Sequence, residues 1–163
     1  MGASCNKEEI EAKAKSIVLA KMTSPQAREG VEDYLEEART SGYKIALASS
    51  SSKEWVTNYL RTLELLHYFD HIITSDDVVQ VKPAPDLYLK AIEALKINAA
   101  EAIAFEDSLN GLQAAQAAGV KCVIVPNPVT EGLDFKNHHA RITSMAEKSL
   151  SEVVSLLDDR VNF

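Results

Sequence analysis

The chain has 163 residues, 46% of them hydrophobic and 25% charged, a balance that fits one soluble globular domain around a single core. Seventeen Lys and Arg stand against 24 Asp and Glu, a formal net charge of −7, which disfavours nucleic acid and anionic membrane surfaces as partners. The longest apolar runs, such as Ile45 to Ala48 and Cys122 to Val125, fall far short of the ~20 residues that span a bilayer.

Two cysteines, Cys5 and Cys122, make no disulfide framework, and the first residues lack the basic start and apolar centre of a signal peptide. A reducing, cytoplasmic setting is therefore expected. Met1-Gly2 does not open a myristoylation motif, because Asn6 stands where Ser or Thr is needed. Cys122 lies inside an apolar run and reads as a small buried hydrophobe.

In chain order, Ile10, Ala14 and Ile17 share one face of a charged helical segment from about Lys7 to Met22, which Ser24-Pro25 breaks. Val31, Tyr34, Leu35 and Ala38 form the stripe of a second helix, bounded by Gly30 and Gly42. A short strand follows at Lys44–Ala48. Ser51 with Glu54 has capping-box spacing for a helix whose stripe is Val56, Tyr59, Leu60 and Leu63.

The alternation then repeats. His71–Thr74 reads as a strand, Tyr88, Ala91, Ile92 and Leu95 as a helix stripe, and Ala102–Phe105 as a strand. An Ala-rich helix runs to Gly119, a strand covers Lys121–Val125 until Pro126-Asn-Pro128 stops it, and Arg141–Thr143 has the pattern of a short fifth strand. Ser149 with Glu152 opens a terminal helix through Val153, Leu156 and Leu157. Strands alternating with helices predict right-handed crossovers and an α/β fold, one parallel sheet flanked by helices.

Ligands in such sheets bind beyond the carboxyl ends of the strands. Ser49 to Ser52 follow the first strand, Asp76-Asp77 and then Lys82 the second, and Glu106-Asp107-Ser108 the third. Each group alone has a plain structural reading: a capping turn, a solvated lysine, an acidic helix start. Their joint occurrence at successive strand ends suits a phosphoryl group held with a divalent metal, since Mg²⁺ favours one or two carboxylates plus phosphate. The histidines do not read as a metal set: His138 and His139 are adjacent, and His67 and His71 flank an aromatic turn. Trp55, beside the serine loop, reads as a helix-packing anchor.

Leu47-Ala-Ser-Ser50, Val81-Lys-Pro-Ala-Pro-Asp-Leu-Tyr88 and Ala104-Phe-Glu-Asp-Ser-Leu-Asn-Gly111 resemble the second, third and fourth motifs of the haloacid dehalogenase superfamily. Their spacing, 33 residues from Ser49 to Lys82 and 24 from Lys82 to Glu106, is of that family's kind. Lys-Pro-x-Pro followed by Glu-Asp-Ser is similar to the β-phosphoglucomutase-like phosphatase branch.

The resemblance implies a Rossmann-like three-layer core over residues 24–163, with residues 1–23 a remnant of a helical cap. It implies that Ser49 and the Ser50 backbone N–H hold the transferring phosphoryl, and that Lys82 neutralises charge on phosphate and nucleophile. Asp107 would ligate Mg²⁺, Glu106 would hold a metal-bound water or orient Lys82, and Asn110 would support the acidic loop. The implied reaction is Mg²⁺-dependent phosphoryl transfer on a small phosphorylated metabolite, by a phosphatase or a phosphohexomutase, through an aspartyl-phosphate.

One departure is large. The family opens on a strand ending in Asp-x-Asp, the carboxylate nucleophile and the general acid/base, and no Asp-x-Asp occurs in this sequence. That strand lies mid-sheet in the family, between the strands ending at Ser49 and Glu106. The expectation is therefore a truncated chain without turnover of its own, completed by an N-terminal segment or by self-association. The alternative is a non-catalytic phosphate- and metal-binding module. A phospho-receiver domain also uses an acidic pair, a strand-end Ser or Thr and Lys-Pro, but there the acidic pair comes early and the lysine last, the reverse of Lys82 before Glu106-Asp107.

Overall fold

The left-handed backbone of Gly30, φ 78°, turns the chain into its first described helix, and no side chain fits there: a Cβ would lie 2.4 Å from the Met145–Ala146 backbone. The computed structural model describes residues 25–158. The helix expected over Lys7 to Met22, the cap remnant and Cys5 lie outside the described residues. The elements are α1 (Val31–Thr40), β1 (Ala46–Ala48), α2 (Lys53–Thr62), β2 (His71–Ile73), α3 (Asp86–Leu95), β3 (Ile103–Glu106), α4 (Leu109–Ala117), β4 (Lys121–Ile124), β5 (Ala140–Arg141) and α5 (Leu150–Asp158). Strand bounds shift from the predicted ones by one or two residues. The cap of α2 moves one residue on: Ser52, not Ser51, accepts the Trp55 N–H. The Ser149–Glu152 capping box is present in both directions, with each side chain accepting from the other residue's N–H.

All strand pairings are parallel, as the alternation predicts, but the single sheet is split in two. β1 pairs with β2, Leu47 opposite Ile72, while β3, β4 and β5 form a separate sheet with Phe105 opposite Val123. Hydrogen-bond directions place the two unpaired edges. The Ile45 carbonyl accepts from Asp70 N–H and the Ser49 N–H donates to Ile73 O, so Ile45 and Ser49 face β2 and the alternate residues Ala46 and Ala48 face away from it. On the other sheet the Glu106 carbonyl accepts from Val125 N–H, which turns Ile103 and Phe105 away from β4. Among the described residues no strand pairs with either edge.

Helices bridge what the strands do not. On one face α3 places Leu87 and Ala91 against Ile73, Ala46 and Ala48, and its Tyr88 and Ile92 against Ala104, Cys122 and Ile124 of the other sheet. On the opposite face Tyr34 and Ala38 of α1 and Val153 and Leu157 of α5 pack on Val123, Val125, Phe105 and Ile45. The Tyr34 ring meets Phe105 edge-on at 5.4 Å. Leu87, Val123, Ile124 and Val153 are fully buried, each contributing about 1.5–3 kcal/mol of hydrophobic stabilisation. Helix layers thus hold both sheets in one frame. Arg28, just before α1, donates to the carbonyls of Val125 (2.9 Å) and Pro126 (2.6 Å), fixing the chain against the carboxyl end of β4. Among the described residues no helix is long and apolar enough to cross a membrane.

Candidate functional site

The carboxyl ends of β1 and β3 flank the split, and the loops leaving them carry most of the sequence-predicted residues. After β1, the Ser49 hydroxyl accepts the Ser51 N–H at 3.1 Å, which curls the serine run back on itself before Ser52 caps α2. Ser75 N–H donates to Ser51 O, and Lys53 N–H donates to Asp76, so the loops after β1 and β2 are joined. Ser50 is exposed. Ser49, Ser51, Trp55 and Tyr59 line a cavity of about 330 Å³ beside β1, and the Trp55 and Tyr59 rings stack 6.4 Å apart.

Lys82 joins the two sheets. Its Nζ donates to Ala48 O at 2.8 Å, one residue before Ser49, and to Glu106 Oε1 at 2.5 Å, one residue before Asp107. The two side chains are 13% and 7% exposed, so this ion pair is largely out of water and each partner compensates the other's desolvation. The Lys82–Pro83 peptide is cis. Tyr88, on the first turn of α3, donates its phenol to the same Glu106 Oε1, and Lys82 Nζ lies 4.9 Å from its ring centroid. Burial first, and then the Glu106 charge, push the Tyr88 phenol far above its ordinary range, so it stays a donor. The other carboxylate oxygen, Oε2, lies against Gly111 of α4.

Asp107 is half-buried, and its Oδ2 accepts from Asn127 Nδ2 at 2.9 Å. The amide orientation of Asn127 is set on its far side, where Oδ1 accepts from Val129 and Thr130 N–H. Ser108 caps α4 by accepting the Gly111 N–H. Asn110 is exposed on the first turn of α4. Among the described residues no group of three or more His, Cys, Asp and Glu gathers. Of the two carboxylates expected to serve a metal, Glu106 has Oε1 engaged by Lys82 and Tyr88 and Oε2 against Gly111, which leaves Asp107 as the better placed oxygen donor. A carboxylate donor of this kind fits Mg²⁺, which completes its shell with water and phosphate oxygen.

Three neighbours of the site carried no role in the sequence reading. Tyr88 counted only in the α3 stripe and as the last residue of a motif, Asn127 only as part of a strand stop, and Gly111 only as the end of a motif. Cys122 is the small buried hydrophobe it was expected to be, whereas Lys82 is not a solvated lysine and Trp55, expected as a helix-packing anchor, is half-buried on the cavity wall against Tyr59. Cys122 is fully buried, its thiol pushed up to about 12 by burial and then by Glu106. His139 Nδ1 accepts the Cys122 N–H, and His138 Nδ1 meets Phe135 O at 2.9 Å.

The sequence pattern of the haloacid dehalogenase-like hydrolases matches residues 3–125. YhcW of Bacillus subtilis (strain 168), which carries a phosphatase name, is 46% identical over 162 residues, covering 99% of this chain and 72% of its own. Against the CbbY proteins of Rhodobacter capsulatus and Cereibacter sphaeroides, by contrast, the chain spans only 57% and 54% of their length. Among solved structures, CbbY from Rhodobacter sphaeroides in complex with phosphate superposes with a TM-score of 0.82 at 30% identity, covering 97% of this chain and 71% of that one. Fold, strand-end residues and relatives converge, and the chain belongs to the haloacid dehalogenase-like hydrolases.

Proposed function

We propose that the chain binds Mg²⁺ and the phosphoryl group of a small phosphorylated metabolite in a cytoplasmic setting, as the larger part of a phosphatase or a β-phosphoglucomutase-like phosphohexomutase. The observation that carries this reading is the Lys82 ammonium held between the Ala48 carbonyl and Glu106, which sets it beside Ser49 and Asp107 at once. A lysine ammonium has three N–H bonds. Two are engaged here, and the third serves a phosphoryl oxygen. Ser49 and the Ser50 N–H hold the remaining oxygens, Asp107 holds the metal with Glu106 beside it, and Asn110 supports the acidic loop. Bound Mg²⁺ supplies further neutralisation of phosphate charge. A CbbY structure contains xylulose-1,5-bisphosphate, which supports a sugar phosphate as the ligand class for this chain.

Phosphoryl transfer needs a nucleophile, and no Asp-x-Asp occurs in the sequence. In this reading the chain alone does not turn over. The carboxylate pair arrives on a complementing N-terminal segment seated between the edges of β1 and β3, whereas self-association would cover those edges without supplying the missing motif. The second reading, a phosphate- and metal-binding module without catalysis, draws on the same missing motif.

Calorimetric titration with Mg²⁺ and inorganic phosphate tests the site: binding is expected, and equal heats in Lys82→Ala sink it. Adding a synthetic strand peptide that ends in Asp-x-Asp, with a generic phosphomonoester, separates the two readings. Turnover on addition supports the enzyme, whereas phosphate binding that stays silent supports the module.

A further inference from the structure

We propose that Tyr88 is a positioning residue for Lys82, setting the direction in which its ammonium is presented. This rests on the reading that Lys82 faces a phosphoryl ligand. Tyr88 touches both members of the buried pair: its phenol donates to Glu106 Oε1, and its ring lies under Lys82 Nζ, 4.9 Å from the centroid. These contacts act together. The π face attracts the cation and covers one side of it. The phenol occupies a lone pair on the oxygen that Lys82 uses, so Glu106 cannot turn to embrace the ammonium with both oxygens. Gly111 closes the other side, since even a methyl group there would overlap Oε2.

Three elements therefore define the ammonium: Ala48 O from β1, Glu106 from the end of β3 and Tyr88 from α3. Only the remaining N–H direction is available to a ligand. Phenylalanine would fill the same volume and keep the ring face, but it would release the carboxylate. Packing alone does not explain a hydroxyl here, because an O–H buried against a carboxylate makes a charge-assisted bond rather than a filler contact.

The test uses the whole 163-residue chain with ¹⁵N-labelled lysine side chains. Lys82 is expected to give a slowly exchanging ammonium signal, identified by its loss in Lys82→Met. Tyr88→Phe is expected to shift and broaden that signal in the absence of any ligand. It is also expected to weaken Mg²⁺-dependent phosphate binding at least fivefold, with the melting temperature held within a few degrees. An unmoved Lys82 signal in a folded Tyr88→Phe overturns the proposal, as does an unchanged phosphate affinity. If Tyr88→Phe does not fold, the wild-type chain made with 3-fluorotyrosine takes its place: the more acidic phenol at nearly the same volume alters the bond to Glu106 and must shift the same signal, and an unmoved signal overturns the proposal. Failure of the wild-type chain to bind phosphate would count against the phosphate reading of Lys82, and the ligand-free signal would still decide the part played by Tyr88.

Discussion

Gly111 and Glu106 approach so closely that no side chain fits between them: a Cβ built on Gly111 would stand 1.8 Å from Glu106 Oε2. Gly111 sits in the first turn of α4 with ordinary helical backbone, so its reason is space rather than φ.

Alanine at this position sets two effects against each other. Replacing a helical glycine gains up to about 1 kcal/mol of helix propensity. The overlap, however, must displace a carboxylate tied to Lys82 and Tyr88, and disturbing a buried ion pair costs roughly 3–5 kcal/mol. The clash wins. Gly111→Ala is expected to be destabilised by about 2 kcal/mol or more in urea denaturation, and a variant as stable as the parent would show that Glu106 can move freely.

Removing one member of the pair strands the other. Lys82→Met leaves the Glu106 side chain, 7% exposed, with only the Tyr88 phenol, and is expected to lose roughly 3–5 kcal/mol. Lys82→Met combined with Glu106→Gln removes both charges and is expected to recover at least half of that loss. Strictly additive losses in the double variant would mean that the two charges do not interact.

Asn127→Asp places a second carboxylate where an amide now donates to Asp107 Oδ2 at 2.9 Å. The hydrogen bond becomes a like-charge contact. The variant is expected to melt lower than the parent at pH 7, and millimolar Mg²⁺ is expected to raise its melting temperature more than the parent's. Equal responses to Mg²⁺ would place the ion away from Asp107.

The start of α5 is held by two carboxylates whose hydrogen bonds depend on pH. Glu37 accepts from Ser151 and Leu150 N–H, and Glu152 accepts from Ser149 N–H; these backbone hydrogen bonds hold both carboxyls below their ordinary range. A depressed folded pKa means the bonds stabilise above the unfolded value near 4.3, and the gain is lost as pH falls through the folded value. Glu37→Gln should therefore lower the melting temperature at pH 7 and leave it little changed near pH 3. A uniform drop at both values would refute the linkage.

The helices were legible because each carries its own apolar stripe and punctuation. Gly30 and Gly42 bound α1, and Ser149 with Glu152 opens α5, all from local residues. The α2 cap slipped by one because four consecutive serines offer the same hydroxyl, and Ser52 is the one whose backbone is extended there. The split of the sheet was legible only through the missing motif, since strand pairing depends on a partner and not on the strand's own sequence. Lys82 and Glu106 stood out by residue type at strand ends. Tyr88, Asn127 and Gly111 did not, because a stripe tyrosine, a turn asparagine and a helical glycine are common everywhere, and only three-dimensional proximity to a carboxylate distinguishes them.

The edges of β1 and β3, unpaired among the described residues, also bear on how the protein behaves in a test tube. Unpaired strand edges can template contact between like molecules, and here the opposing force is mutual repulsion from a net charge of −7. That repulsion reaches about 10 Å in 0.1 M salt and only about 3 Å in 1 M salt. Colloidal stability in this chain is thus an ionic-strength property, and dilute buffer is the condition in which its molecules stay apart.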